Sequence, residues 1–268
     1  MLSYRDRISV VTWVTGLLLA MQPVLVTPTW QVTWYPFGTP LTLNIDRDTF
    51  LGFWLIMVLT GGTHWTLSAW DLPKVKVRFG DGWWALPLTL GWLALRLLPY
   101  QPNPRAWLAL LVGTLLVLAF TWHSVTYLAT QRPAPYPAAF ALRTVVFIAA
   151  GILYHWLYAL GERSLLAATQ MWVGTTTLMA AFWAESPLWP RQRWLYSLIG
   201  GWLIAQLAWA LKQTALSPFR SGLLLLLVFY LYSSLMERAI THRLPSRVLV
   251  EYALTGGIAL LLILTVAP

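Results

Sequence analysis

The sequence predicts an all-α, multi-pass transmembrane helical bundle of about nine helices, with the N-terminus inside and the C-terminus outside. Three observations carry this. Of 268 residues, 58% are apolar and only 10% charged, and the mean hydropathy is +0.63. A soluble domain carries roughly 25% charged residues, and this chain holds more apolar sequence than a water-soluble core of its size can hide. Apolar stretches of spanning length also recur along the chain, separated by short breaks rich in Pro, Gly and charge. Finally, Lys and Arg divide unequally between alternate breaks. Disorder is excluded, since it needs low hydrophobicity and high charge.

The spans are taken in order. The first is Ile8–Val26, preceded by a short basic stretch, Met1–Arg7. It is long for a signal-peptide core, and the residues after it (Thr27, Pro28, Thr29, Trp30) lack a small-x-small cleavage site, so it reads as a retained helix. The others are Thr49–Ala69, Trp83–Leu98, Ala106–Leu128, Ala138–Leu160, Leu165–Ala184, Trp194–Leu211, Ser221–Met236 and Val248–Ala267. A crossing takes about 20 residues at about 1.5 Å each. Helices are expected because lipid offers no water to exposed backbone groups, and no stretch shows the two-residue alternation of a membrane barrel.

The breaks agree with this division. They include Asp71–Lys74, Pro99–Pro104, Gln131–Pro137 and Glu185–Pro187. Proline cannot continue a helix interior and biases the preceding residue away from helix. Pro23 and Pro87 fall inside spans and are expected to kink them. Trp107, Trp183 and Trp194 fall at span ends, where an aromatic belt places them. Trp54, Trp92, Trp172 and Trp202 lie at depth, and packing between helices is their default role.

With the N-terminus inside, the inner ends collect Arg5, Arg7, Lys74, Lys76, Arg78, Arg132, Arg143, Arg191, Arg193, Arg238, Arg243 and Arg247. The outer ends hold Arg47, Arg96, Arg105, Arg163, Lys212 and Arg220. This excess of inner cations sets the orientation and indicates the cytoplasmic membrane. The net charge of +9 is therefore read as a membrane pattern, with anionic headgroups as its partners, and nucleic-acid binding is excluded. The whole chain, residues 1–268, reads as one polytopic domain. Residues 27–48 form an outer, hairpin-like loop, because polar and apolar residues alternate on both sides of a Pro/Gly break.

Chemistry is sparsely marked. Cysteine is absent, which excludes disulfides, thiolate metal sites and cysteine nucleophiles. All nine Asp and Glu lie in breaks or within a turn of a span end, which disfavours a cation-coupled carrier with a midplane acid. No serine-hydrolase elbow, zinc-protease helix or phosphate-binding loop occurs, so no catalytic residue and no metal site is assigned. Glu162-Arg163 and Glu237-Arg238 read as interfacial ion pairs of small weight. The glycine pairs Gly61-Gly62, Gly200-Gly201 and Gly256-Gly257 read as close helix contacts.

Two constellations remain. His64 and His123 each stand five residues before the inner end of a span and share a depth, as two axial ligands of one haem or chlorin would. Gln170, Thr176 and Gln206 make the sixth and seventh spans the most polar at depth; with Arg143 they are candidates to line a polar cavity. The expected function is a non-catalytic structural or accessory membrane subunit that binds lipid or partner helices. The alternatives are a carrier or channel for a small solute along the polar cavity, and a haem- or pigment-binding protein using the two histidines.

The short first span, the segment Tyr35-Pro36-Phe37-Gly38-Thr39-Pro40-Leu41 and the second span around Thr60-Gly61-Gly62 resemble an uncharacterised class of bacterial polytopic membrane proteins, carried as a domain of unknown function. The resemblance covers about a quarter of the chain. It implies a membrane fold and brings no activity or site residues.

Overall fold

The computed structural model describes residues 2–25, 29–34, 41–69, 81–130, 136–160, 164–186, 188–214, 216–241 and 245–265. The tip of the expected hairpin (35–40), the breaks 71–74 and 131–135, and the Glu162-Arg163 pair lie outside the described residues. Nine α-helices are present among the described residues: α1 (Tyr4–Ala20), α2 (Arg47–Leu67), α3 (Ala85–Leu97), α4 (Pro104–Thr130), α5 (Tyr136–Ala159), α6 (Ser164–Phe182), α7 (Pro190–Leu211), α8 (Pro218–Thr241) and α9 (Ser246–Thr265). A 3-10 turn, Leu98–Tyr100, follows α3. Six of the helices (α2, α4, α5, α7, α8 and α9) are long and apolar enough to cross a membrane.

The helices gather in two compact units, residues 1–79 with 86–133, and residues 80–85 with 134–268. In the first unit, α1 begins at Tyr4 rather than at the first apolar residue, because a capping box forms. The Ser3 hydroxyl accepts the Asp6 amide, and the Asp6 carboxylate accepts the Ser3 amide at 3.0 Å. The polar stretch Tyr4–Arg7 is thereby the first helical turn.

Pro23 does not kink α1. The helix ends at Ala20, and Pro23 sits in the turn that follows, where its missing N–H breaks no ladder. Pro87 does not kink α3 either. It is the third residue of that helix, in the first turn, where an amide would have no intrahelical partner.

Strand β1 (Trp30–Trp34) pairs antiparallel with β2 (Leu41–Ile45), with Val32 opposite Leu43. The chain passes from β2 through Asp46 directly into α2. There the Asp46 carboxylate accepts the Thr49 amide at 2.8 Å and its hydroxyl at 2.7 Å. The core of this unit joins Val11 and Leu19 of α1, Leu51, Leu55 and Leu59 of α2, Leu95 of α3, and Leu111, Leu118 and Trp122 of α4. Trp122 is fully buried and donates its indole N–H to the Thr63 hydroxyl at 2.9 Å.

The second unit packs α6 on α7, α5 on α8, and α9 on α8. Its core is aromatic. The Phe147 ring meets Phe182, Phe229 and Tyr230, with centroids 5.5–5.9 Å apart. Tyr154, also fully buried, shares a 3.1 Å hydrogen bond with Thr175. Helix α9 is the outlier: only Gly256 is buried, and Leu249, Val250, Leu254, Ile258 and Leu261 face outward.

Some tryptophans depart from expectation. Trp183 is not in a belt; it is 1% exposed and packs on Tyr196 and Tyr232. Conversely Trp54 and Trp202 are exposed, while Trp172, exposed on one side, donates its indole N–H to the Leu198 carbonyl of α7 at 3.2 Å. The glycine pairs divide their work. Gly62 faces Val11 of α1 while Gly61 faces open space, and Gly256 faces Leu231 while Gly257 faces open space. Gly200 and Gly201 both face neighbours: a Cβ at Gly200 would strike Tyr232 and Met179, and one at Gly201 would strike Thr176 and lie 2.9 Å from the Trp172 carbonyl oxygen.

Candidate functional site

The densest polar chemistry lies at one end of the second unit. Arg143 stands in the second turn of α5, Glu185 just past α6, and Glu237 in the last turns of α8. The Arg143 guanidinium donates from Nε to Glu185 Oε1 at 2.5 Å. Its two terminal nitrogens donate to the two Glu237 oxygens at 3.1 and 2.6 Å. The last two bonds are the parallel fork that guanidinium and carboxylate geometry favours. The cation also lies over the Phe182 ring, 5.0 Å from its centroid. The Glu185 side chain is the most enclosed of the three, at 9% exposure, against 26% for Glu237 and 33% for Arg143. Two carboxylates share one cation, so the cluster carries a net charge of about −1 when all three are ionised.

This differs from the local pairing expected for Glu237. Its partner is Arg143, 94 residues away, and Arg238 instead lies over the Tyr252 ring at 5.5 Å.

Beside the cluster, Arg193 of α7 is buried, with 4% exposure. Its guanidinium donates to the Asp81 carbonyl, to the Ser186 carbonyl at 3.3 Å and to the Leu188 carbonyl at 3.4 Å. Three backbone acceptors beyond α6 and before α3 are thus gathered on one side chain, a use of arginine that satisfies otherwise orphaned carbonyls. Trp84 stacks on Trp194 next to it, with centroids 5.7 Å apart. In sequence Arg193 reads as a rim charge, and nothing local marks it as a clasp.

The four residues considered for a polar cavity are placed differently from one another. Arg143 is held in the ion cluster. Thr176 is 6% exposed and packs against Gly201 of α7. Gln170 is half-buried on α6, and Gln206 is exposed on α7.

The two candidate haem ligands lie in the first unit. The Thr63–Trp122 hydrogen bond sets α2 and α4 in register, so His64 and His123, each one residue further on, stand at one level. Both are exposed, and Tyr4 stacks on the His123 ring at 6.2 Å. At the same end Arg7 caps α2. It donates to the Trp65 carbonyl at 2.7 Å and lies over that residue's ring at 5.1 Å. No group of three or more His, Asp or Glu able to hold a metal occurs among the described residues.

Charged groups that satisfy one another at helix ends, and apolar, tryptophan-bearing helix faces between them, describe a helical integral membrane protein. No curated protein and no solved structure matches the chain. A family described as a protein of unknown function (DUF5656) matches residues 26–266, from just beyond α1 through α9, and the chain belongs to that family.

Proposed function

We propose that this protein is a non-catalytic structural or accessory component of the cytoplasmic membrane, which works by presenting helix surfaces to lipid and to partner helices. The observation that carries the reading is the outward display of large apolar side chains at depth. Trp54 and Trp202 face out, and α9 exposes nearly its whole length. In a bilayer these faces meet hydrocarbon, and the Trp rings suit lipid or a neighbouring helix.

The charged groups support a holding role over a chemical one. Arg143, Glu185 and Glu237 are engaged with each other, and Arg193 with backbone carbonyls. Arg143, Glu185 and Glu237 belong to three helix ends on one side of the membrane, the inner side in the N-inside orientation that the cation count favours.

The test has two arms. Native purification with mass spectrometry of co-eluting species is expected to return the protein with phospholipid or with other membrane subunits. Conversion of a lipid substrate by the pure protein, abolished by Glu185→Ala or Glu237→Ala, would sink the reading. Orientation is measured with single cysteines, for which the cysteine-free chain gives no background. Arg238→Cys is expected to react only after the membrane is permeabilised, and Gln213→Cys without it.

A further inference from the structure

The hairpin of β1 and β2 is sorted by residue type. Its register sets Trp30 against Ile45, Val32 against Leu43 and Trp34 against Leu41, and it sets Gln31 against Asn44 and Thr33 against Thr42. Successive residues of a strand take opposite faces, so one face of the hairpin is wholly apolar and the other is polar without a charge. Along β1 both faces are open: Trp30 is 65% and Val32 49% exposed, and Gln31 and Thr33 are exposed as well. The apolar face is thus uncovered where β1 forms it.

A two-stranded hairpin is marginal in water by itself and needs a surface on which to bury its apolar face. Its place in the chain supplies one. Asp46 alone separates β2 from α2, and α2 is long and apolar enough to cross a membrane. Strands of five residues, at about 3.4 Å each, reach about 17 Å. The hairpin therefore stays close to the point where α2 enters the bilayer. The apolar surface continues past that point, since Phe50, Phe53 and Trp54 are exposed in the first two turns of α2. The lack of charge on either strand fits a neutral, apolar surface rather than an acidic or basic partner, and tryptophan favours headgroup depth. A second copy paired along the strand edges would extend the sheet and leave this face bare.

We infer that the hairpin is an interfacial anchor: its apolar face lies in the headgroup–acyl boundary of the leaflet that α2 enters, and its polar face meets water. The inference rests on the lipid-facing surfaces of the proposed function. It adds to them a lipid contact made by a sheet, at the rim of the bilayer rather than at depth.

Single cysteines replace Trp30, Gln31, Val32 and Thr33 in the otherwise cysteine-free, full-length chain. Each variant is spin-labelled and reconstituted into dioleoyl phosphatidylcholine vesicles at low protein density. Power-saturation electron paramagnetic resonance compares access of oxygen, which concentrates in lipid, with access of a nickel chelate, which stays in water. Trp30→Cys and Val32→Cys are expected to show higher oxygen access and several-fold lower nickel access than Gln31→Cys and Thr33→Cys, as one face buried about 5–10 Å into the interface requires. Two positions report for each face, so a single misfolded variant does not decide the outcome. Met57→Cys, exposed at depth on α2, is the reference for the helix surfaces. Equal access at the four strand positions, with Met57→Cys still in lipid, overturns the anchor and leaves the proposed function standing. Nickel access at Met57→Cys overturns both. Low access of both reagents at positions 30 and 32 also overturns the anchor, and spin–spin broadening that unlabelled protein dilutes away would then name a second copy as the occupant.

Discussion

Arg143 and Glu237, from the beginning of α5 and the end of α8, meet through two parallel hydrogen bonds, and the same guanidinium holds Glu185 beyond α6. One side chain therefore fastens three helix ends. Removing it leaves two carboxylates side by side, one of them nearly enclosed. Arg143→Ala is expected to cost about 2 kcal/mol, between the ~1 kcal/mol or less of an exposed pair and the ~3–5 kcal/mol of a buried one. Glu237→Gln keeps an acceptor and leaves Glu185 paired, so its loss is smaller. Arg143→Lys is expected to recover little, because an ammonium cannot span both carboxylates with a planar fork. Tryptophan-fluorescence melting in detergent orders the three variants. A wild-type midpoint for Arg143→Ala would show that the cluster holds nothing.

Arg193 gives a second prediction, with a different readout. Its bonds are to backbone carbonyls, so its loss frees the connection between α6 and α7 rather than unpairing charges. Arg193→Gln is expected to cost about 1–3 kcal/mol, the range for leaving enclosed polar groups unsatisfied. It should also open residues 183–189 to limited proteolysis, with cleavage mapped by mass spectrometry. Resistance equal to wild type would remove the clasp from the account.

The helices themselves were legible in the sequence. All nine stand where apolar runs and Pro/Gly breaks predict, because hydropathy and proline chemistry act locally. Their ends shifted by a few residues where a cap decided the matter, as Ser3 did for α1. The inward and outward faces were not legible. In water, an apolar stripe marks the side that packs. In lipid both sides are apolar, so Trp122 in the core and Trp202 at the surface look alike in sequence. The ion cluster was hidden for a second reason: Arg143 and its partners are 42 and 94 residues apart, and only the packing of α5, α6 and α8 brings them together. Small residues carried partial information, since Gly61-Gly62 and Gly256-Gly257 each place one member at a contact.

That asymmetry predicts opposite outcomes within one motif. Gly201 abuts Thr176 and the Trp172 carbonyl, so Gly201→Ala must push α6 from α7 and is expected to cost about 1–3 kcal/mol. Gly257 faces open space in the middle of α9, and Gly257→Ala is expected to be neutral or to gain up to about 0.5–1 kcal/mol from the better helix former. Melting midpoints of the pair decide the point. Equal destabilisation by both would mean that the outer face of α9 is covered by something tight in the purified particle.

The last prediction concerns acid. The Asp46 carboxylate caps α2 and is held below the ordinary aspartate range, first by the Thr49 hydroxyl and then by the Thr49 amide. A carboxyl whose folded pKa is depressed stabilises the fold above its unfolded value of about 3.9 and loses that contribution as pH falls through the folded value. Asp46→Ala is expected to cost about 1 kcal/mol at neutral pH, the usual worth of an N-cap. Asp46→Asn keeps a capping oxygen but cannot titrate. It should therefore lie near wild type at pH 7 and fall less steeply than wild type below about pH 4. Melting curves of the three proteins from pH 7 to pH 3 make the comparison. Parallel pH profiles for wild type and Asp46→Asn would place the acid sensitivity of the protein elsewhere than at the junction between β2 and α2.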